Sequence, residues 1–254
     1  DGGVTYTNIS NGAVYSGVTS ATLTITGAIA GMNNYNYRCV ASTQCGSTNS
    51  GAGLLSVNTA PAINNQPQDF TLCTGSSNTF SVSTSGTGLS YQWQLSTTGC
   101  AGPWNNIPTA NASSYILNAI TAGQNNTAYR CVVTGTCTPA ATSNCALLTV
   151  VTSVTVTTQP ASQTICEGSG VSFTAAGSGT GIIYQWQLST DGGITYSNIS
   201  GANAATYTVS AVTTAMNNYR YRCQLSNATC TTPGTTNPAI LAVNTLTAIT
   251  AQPL

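Results

Sequence analysis

The 254-residue chain contains four basic side chains, four acidic side chains and no histidine, so its net charge is zero and 3% of its residues are charged. This composition lacks the basic patch that binds a phosphate backbone, and it lacks the basic face of an amphipathic membrane helix. Hydrophobic residues make up 41% of the chain, in alternating runs and not in the long apolar stretches of membrane spans, which favours a folded β protein.

A repeated unit organises the chain. Residues 91–96 and 184–189 both read YQWQLS, and Tyr-Arg-Cys occurs three times, ending at Cys39, Cys131 and Cys223. A fixed period of this size is typical of tandem domains. The repeat predicts half of a domain at 1–58, complete domains at 59–151 and 152–244, and the first strand of a further domain at 245–254. Because a half domain exposes its core, we expect a continuing chain or a neighbouring copy to complete it.

Alternating short strands surround two kinds of core marker, Trp93 and Trp186 in one position and Tyr37, Tyr129 and Tyr221 in the other. A buried Trp on strand C and a Tyr two residues before a Cys on strand F are typical of immunoglobulin-like sandwiches. The chain resembles immunoglobulin-like domains along its whole length. This resemblance implies an all-β fold of tandem Greek-key sandwiches, arranged as beads on a string.

The chain departs from the immunoglobulin pattern on strand B. The position of the usual strand B cysteine, counted from Gly75 and Gly168, is occupied by Val82 and Ala175. The usual disulfide between strands B and F is therefore absent.

Ten cysteines in a chain without histidine or paired C-x-x-C knuckles indicate disulfides and an oxidising compartment, and not zinc. Three positions recur: one before strand B (Cys73, Cys166), one on strand F (Cys39, Cys131, Cys223) and one in the following hairpin (Cys45, Cys137, Cys230). We expect Cys73 to pair with Cys131 or Cys137, and Cys166 to pair with Cys223 or Cys230. Cys100 and Cys145 occur only in the middle unit and can pair with each other or with Cys137. One thiol per unit can stay free, and cross-linking between chains is a further possibility.

The residues that catalysis needs are nearly absent. Without His or Lys, a Ser or Cys nucleophile lacks its usual base, and the few dispersed carboxylates provide neither a glycosidase pair nor a calcium site. We expect no enzyme activity, no cofactor and no metal. Tyr6, Trp104 and Tyr196 share one hairpin position and are candidates for a sugar-stacking platform, although packing across the sheet is the simpler interpretation. We expect a solvated face for the arginines that directly follow the strand F tyrosines, which are Arg38, Arg130 and Arg222.

The combined motifs Cys-x-Gly-Ser, YQWQLST, Asp-Gly-Gly and MNNYxYRC are similar to the tandem repeats of very large cell-surface proteins of Bacteroidetes-type bacteria. This similarity implies an extracellular adhesin stalk or fibre whose partners are copies of itself, the continuing chain, glycans or host surfaces. An array of carbohydrate- or protein-binding modules is the alternative. The short joint at Thr152 and Ser153 predicts limited bending between units.

Overall fold

The computed structural model describes residues 2–245 and 247 of the chain. The strand predicted at 245–254 therefore lies almost entirely outside the described residues. Nearly all the regular structure is β-strand, and four three-residue 3₁₀ turns lie at Ala30–Met32, Gly99–Ala101, Ala122–Gln124 and Thr214–Met216. No helix in the described part of the chain has the length and apolarity required to span a membrane.

Strands are numbered here in chain order through three parts: the first segment (2–58), the middle unit (59–151) and the last unit (152–244). The first segment contains β1 Tyr15–Ser16, β2 Thr24–Ile25, β3 Tyr35–Tyr37, β4 Val40–Thr43, β5 Gly46–Asn49 and β6 Gly53–Leu55. The middle unit contains β7 Ala62–Asn65, β8 Phe70–Cys73, β9 Asn78–Ser81, β10 Ser83–Ser85, β11 Ser90–Ser96, β12 Asn105–Asn106, β13 Ser114–Leu117, β14 Thr127–Thr134, β15 Ala141–Thr142 and β16 Ala146–Val151. The last unit contains β17 Thr155–Thr158, β18 Gln163–Cys166, β19 Val171–Thr174, β20 Ala176–Ser178, β21 Ile183–Ser189, β22 Ser197–Asn198, β23 Thr206–Val209, β24 Arg220–Ser226, β25 Gly234–Thr235 and β26 Ala239–Asn244.

The two complete units have the same topology. In the middle unit a six-stranded sheet has the order β12-β11-β14-β16-β8, with β15 also paired to β14, and faces the pairs β13-β9 and β10-β7. The last unit repeats this as β22-β21-β24-β26-β18 with β25, facing β23-β19 and β17-β20. Within each large sheet, one edge pair is parallel: β8 runs with β16, and β18 runs with β26. Each unit is thus a sandwich that returns its last strand beside an early one.

Aromatic side chains fill the space between the two layers. Trp93 and Trp186 are fully buried, and the indole Nε1 of Trp93 donates a hydrogen bond to the carbonyl of Ala112 (3.0 Å). Phe80 stacks on Tyr129 with ring centroids 4.6 Å apart, and the last unit repeats this stack with its own phenylalanine and tyrosine. Stacked pairs of this kind contribute beyond the area that they bury. The Tyr129 hydroxyl accepts a hydrogen bond from the Thr127 hydroxyl (3.4 Å).

The glutamines of the YQWQLS motif have separate structural roles. Gln92 on β11 donates from Nε2 to the carbonyl oxygens of Trp93 (2.8 Å) and Ile107 (2.9 Å), which fixes the chain that follows β12 against the sheet. Gln94, two residues further along β11, lies on the same face of the sheet and accepts a hydrogen bond from Nε of Arg130 (2.7 Å). The repeat of both contacts in the last unit explains why the motif recurs as a whole.

The first segment lacks a large sheet within its described residues. Its strands form only the pairs β1-β2, β3-β6 and β4-β5. An open cavity of about 740 Å³ lies among side chains that include Tyr6, Tyr15 and Tyr37. Burial and the hydroxyl of Tyr15 (3.1 Å away) raise the pKa of Tyr37 to about 12.

An asparagine six residues before each strand F cysteine holds the last strand of its part of the chain. The Oδ1 atoms of Asn33, Asn125 and Asn217 accept hydrogen bonds from the backbone N–H groups of Val57 (2.9 Å), Val150 (2.8 Å) and Val243 (3.0 Å). This side-chain contact continues the ladder beyond the last backbone pair of β14 and β16, and it occurs in all three parts of the chain.

We predict that Asn125→Ala destabilises the middle unit by about 1–2 kcal/mol, because the Val150 N–H loses its partner in a partly buried position. Asn125→Asp keeps the accepting oxygen and should change stability much less. Hydrogen–deuterium exchange of residues 146–151 at increasing urea concentration measures this locally. Asn111→Ala, an exposed asparagine of the same unit, is the control; equal effects of Asn125→Ala and Asn111→Ala would contradict the assigned role.

Candidate functional site: the joint between successive units

A disulfide crosses the joint between the middle and last units. Cys73 and Cys230 are bonded, with Cα atoms 5.3 Å apart and a sequence separation of 157. Cys73 is the final residue of β8 and lies beside Val151, where β16 also ends. Cys230 is buried in the hairpin between β24 and β25 of the last unit. The bond therefore joins the exit end of one sandwich to the entry end of the next.

This connectivity differs from the predicted one. Cys73 does not pair with Cys131 or Cys137 of its own unit, and Cys166 is an exposed free thiol that pairs with neither Cys223 nor Cys230. The physical reason is position: Cys73 lies at the end of the sandwich, whereas Cys131 lies in its centre opposite Trp93.

Threonine contacts anchor the connecting chain at the same joint. Thr152 donates its N–H to Oγ1 of Thr180 (3.3 Å) and accepts the Thr180 N–H at its carbonyl (3.5 Å). Asn227, in the hairpin that holds Cys230, donates from Nδ2 to the same carbonyl (3.1 Å). The Ser153 hydroxyl lies 3.3 Å from Sγ of Cys73. Of the two residues of the short connection, Thr152 is thus hydrogen bonded to the last unit and Ser153 contacts Cys73 of the middle unit.

A glycine beside the threonine pair lets the backbones approach closely. Gly179 has φ +134°, and a Cβ atom at this position would lie 2.9 Å from the carbonyl oxygen of Ser153. Gly86 has the equivalent place in the middle unit, with φ +138° and a Cβ position 3.0 Å from the carbonyl oxygen of Ala60. A side chain at either glycine would push the connection away from the unit that follows it.

The joint between the first segment and the middle unit repeats the threonine contacts. Thr59 donates its N–H to Oγ1 of Thr87 (3.1 Å), and the Thr87 N–H donates to the Thr59 carbonyl (3.1 Å). The Thr136 N–H in turn donates to the Thr87 carbonyl (2.9 Å). Two successive joints therefore share one backbone arrangement.

The second disulfide lies within the middle unit. Cys100 and Cys145 are bonded with Cα atoms 5.7 Å apart, which ties the loop after β11 to the residue before β16. The sequence left two possibilities open for Cys100 and Cys145, pairing with each other or with Cys137. The structure shows that they pair with each other and that Cys137 is a free thiol.

The strand F cysteines of the complete units are inert core residues. Cys131 and Cys223 are fully buried free thiols, and burial raises the pKa of each to about 11. Val82 packs in the same core cluster as Cys131, and Ala175 packs in that of Cys223. Because the thiolate is the reactive form, a buried thiol with a raised pKa reacts slowly.

We predict that iodoacetamide at pH 8 modifies Cys39, Cys45 and Cys166 in the native chain and leaves Cys131 and Cys223 unmodified, because the first three are exposed and the last two are buried. Peptide mass spectrometry measures each site. The same reaction in 6 M guanidinium chloride, which should modify all five, is the control. Rapid native modification of Cys131 would contradict the buried position.

Arginine side chains cover the hairpin aromatic residues. The guanidinium carbons of Arg38, Arg130 and Arg222 lie 4.0, 4.4 and 3.8 Å from the ring centroids of Tyr6, Trp104 and Tyr196. These arginines are therefore not simply solvated, since each has a cation–π partner. One face of each ring is covered, which leaves less of the proposed sugar platform open. The recurrence of Arg and aromatic residues in register was the available sequence signal for this pairing.

We predict that Arg130→Met increases acrylamide quenching of Trp104, which is the tryptophan that is not fully buried, and destabilises the middle unit by about 0.5–1 kcal/mol. Arg222→Met removes the matching contact with Tyr196 and should leave tryptophan quenching unchanged. Unchanged quenching in Arg130→Met would show that the guanidinium does not shield the indole.

The carboxylates have local structural partners. Asp191 accepts the N–H groups of Ile194 (3.0 Å) and Thr195 (3.0 Å) and the hydroxyl of Thr195 (2.5 Å). The Thr195 hydroxyl is the main reason that the pKa of Asp191 is held well below its usual range. Asp191 therefore stabilises its turn above the ordinary carboxyl pKa, and this contribution is lost as the pH falls. Among the described residues, no group of three or more potential metal ligands lies together.

A family model described as a domain of unknown function, DUF8696, matches residues 63–152 and again residues 155–245. The chain belongs to this family. No curated protein matches the chain.

Solved structures show the same fold. The chain is similar to the I-band fragment I67–I69 from titin (15% identity, TM-score 0.57, covering 93% of this chain and 84% of that one). It is also similar to Drosophila OTK extracellular domains 3–5 (18% identity, TM-score 0.52, covering 87% and 74%) and to Sidekick-1 immunoglobulin domains 1–4 (17% identity, TM-score 0.54, covering 93% and 65%). The prediction of an all-β fold of tandem immunoglobulin-like sandwiches is confirmed.

Proposed function

We propose that the chain is a non-enzymatic, extracellular structural or adhesive repeat protein, in which tandem immunoglobulin-like units form a stiff stalk or filament. The observation that carries this proposal is the disulfide across the joint, from Cys73 to Cys230. Disulfides persist in oxidising compartments, which supports a place outside the cytoplasm. The resemblance of the repeats to the large surface proteins of Bacteroidetes-type bacteria supports attachment to a bacterial cell surface. The partners are then copies of the chain or its continuation, and glycans or host surfaces at an adhesive end.

The disulfide changes how the chain responds to tension. Force applied along the backbone reaches Cys73 and passes through the bond to Cys230, so the residues between them carry little of it. These two positions are 157 residues apart in sequence. Fully extended chain spans about 3.3–3.6 Å per residue, so this span of 157 residues corresponds to about 500 Å of extended chain. A fibre or stalk under shear keeps its length when its domains are bypassed in this way.

The contacts of the joint also restrict bending. The connection at Thr152 is hydrogen bonded to Thr180 and Asn227 of the last unit, and the disulfide makes a second covalent link beside the backbone. A joint with two covalent links resists rotation about either one. This supports a stiff rod in preference to a freely jointed string of domains.

Single-molecule pulling of the whole chain from its two ends tests the mechanical role. In oxidising buffer we expect no extension from residues 74–229. Cys73→Ser/Cys230→Ser should add about 400 Å of contour length as the two units unfold, since the bypass is lost while the Cys100–Cys145 bond still withholds its 45 residues. Reducing agent breaks both disulfides, so it should release about 500 Å from the unmodified chain.

Removal of the other disulfide is the matched control. Cys100 and Cys145 are separated by 45 residues inside the bypassed region. Cys100→Ser/Cys145→Ser alone should therefore leave the oxidised pulling curve unchanged, whereas in the Cys73→Ser/Cys230→Ser background it should release about 150 Å more. Full extension of the oxidised, unmodified chain would contradict the tension role.

Immunoelectron microscopy of the source cells tests the biological part of the proposal. We expect label along extended surface fibres or stalks, before any reduction. Label confined to the cell interior would rule the proposal out. Binding on a glycan array that is lost in Trp104→Ala and gained in Arg130→Met would instead favour the carbohydrate-binding alternative, because the arginine covers that ring.

A further inference from the structure

Cys166 has in the last unit the place that Cys73 has in the middle unit. Each is the final residue of the strand that runs parallel to the last strand of its sandwich: Cys73 lies opposite Val151, and Cys166 lies opposite Asn244. Cys73 is bonded across the joint, whereas Cys166 is free and exposed. An exposed thiol at the exit end of a sandwich is therefore placed to meet whatever unit follows Asn244.

Cys137 has in the middle unit the place that Cys230 has in the last unit. It lies in the loop between β14 and β15, next to Thr136, whose N–H donates to the carbonyl of Thr87 (2.9 Å). Thr87 is itself bonded to Thr59 of the preceding connection (3.1 Å). Cys137 thus lies at the entry end of the middle unit, beside a joint built like the one that Cys230 crosses, and it is a partly exposed free thiol.

We propose that Cys166 and Cys137 are the two halves of the same cross-unit disulfide that Cys73 and Cys230 form. Cys166 binds the hairpin cysteine of a DUF8696 unit that follows the last unit, and Cys137 binds the exit-end cysteine of a unit that precedes the middle unit. The partner in each case is another unit of the same repeat. The assignment accounts for two free thiols that the core does not use, and it stands on geometry without reference to the tension role.

The chemistry is thiol–disulfide exchange with a small-molecule disulfide as the oxidant. The thiolate of Cys166 attacks that disulfide, which releases one small thiol and leaves a mixed disulfide on Cys166. The thiolate of the partner cysteine then attacks Sγ of Cys166 and releases the second small thiol. Two protein thiols lose two protons and two electrons, and one small disulfide is reduced to two thiols.

Such bonds would overlap along an array. Cys166 lies between Cys73 and Cys230 in sequence. A bond from Cys166 to the following unit would therefore start inside the segment that the Cys73–Cys230 bond spans. Tension that enters the middle unit at Cys137 would then pass along backbone residues 138–165 to Cys166. From Cys166 it would pass through the proposed disulfide into the following unit. Every joint would have two covalent links.

An extended chain tests the proposal. Residues 59–254 are appended directly after Asn244 of the whole chain, which recreates the natural Asn58–Thr59 junction. Cys137→Ser in the original part and Cys166→Ser in the appended part leave one copy of each cysteine. The protein, at a concentration of about 1 μM, is oxidised with glutathione disulfide. Its peptic peptides are then mapped without reduction. We expect a Cys166–Cys137 peptide and an approximately tenfold loss of Cys166 alkylation, because a tethered partner has an effective concentration in roughly the millimolar range.

The matched control exchanges the positions of the substitution. When Cys137 remains in the original part and is Ser in the appended part, the remaining thiol lies at the wrong joint, and Cys166 should stay fully alkylated. Equal pairing in the two proteins, pairing of Cys166 with Cys45, or a free Cys166 in the first protein would overturn the proposal. Absence of the Cys73–Cys230 bond from the unmodified chain would overturn it as well, because that bond is its template.

Discussion

The arrangement of the two complete units depends on how the chain leaves one sandwich and enters the next. Strand β16 ends at Val151, and Thr152 is already hydrogen bonded to Thr180 of the last unit. No free linker separates the two cores. Because β8 runs parallel to β16 and ends beside it, Cys73 is delivered to the same end of the sandwich and within reach of Cys230. The cross-unit disulfide is thus a consequence of the parallel edge pair and of the short connection together.

The cores of the two units contain no disulfide between strands B and F, which is the usual one in immunoglobulin domains. The cysteines that form disulfides lie outside these cores. Val82 and Ala175 pack where the strand B cysteine would lie, and the thiols of Cys131 and Cys223 stay protonated in the core. A buried indole and a stacked phenylalanine–tyrosine pair fill the centre of each unit. The Cys73–Cys230 disulfide constrains the arrangement of the two units, and the Cys100–Cys145 disulfide ties a loop of the middle unit to the start of β16.

The fold could be predicted from the sequence, but the disulfide pairing of Cys73 could not. The period of the repeat, the Trp and Tyr-x-Cys positions and the missing strand B cysteine together predicted tandem sandwiches, since these patterns reflect core packing within one unit. The pairing of Cys73 was not predictable in the same way. A cysteine that recurs in every unit can pair with a partner in its own unit or with the equivalent partner one repeat further on, and the sequence pattern is compatible with both. Only the direction of β8 relative to β16 separates the two choices, and a parallel edge pair leaves no local mark in the sequence.

Similarly, the hairpin aromatic residues were visible in the sequence as a recurring position, but the cover over each ring was not. Arg130 reaches Trp104 because Gln94 accepts a hydrogen bond from its Nε atom and fixes the guanidinium over the ring. The sequence shows that three such residues recur. It does not show that β11, β12 and β14 place them side by side on one face of the sheet.

The near absence of charge has a consequence for the joint. Its noncovalent contacts are hydrogen bonds between hydroxyl, amide and backbone groups, such as those of Thr152 with Thr180 and Asn227. Dissolved salt screens ion pairs strongly, but it has little effect on contacts between neutral groups. A rod stiffened by calcium or by salt bridges softens when ion concentrations change, because its joints depend on charge. A joint made from neutral hydrogen bonds and one disulfide depends on the redox state of its surroundings, so the arrangement of the two units is expected to respond to oxidation more than to ionic conditions.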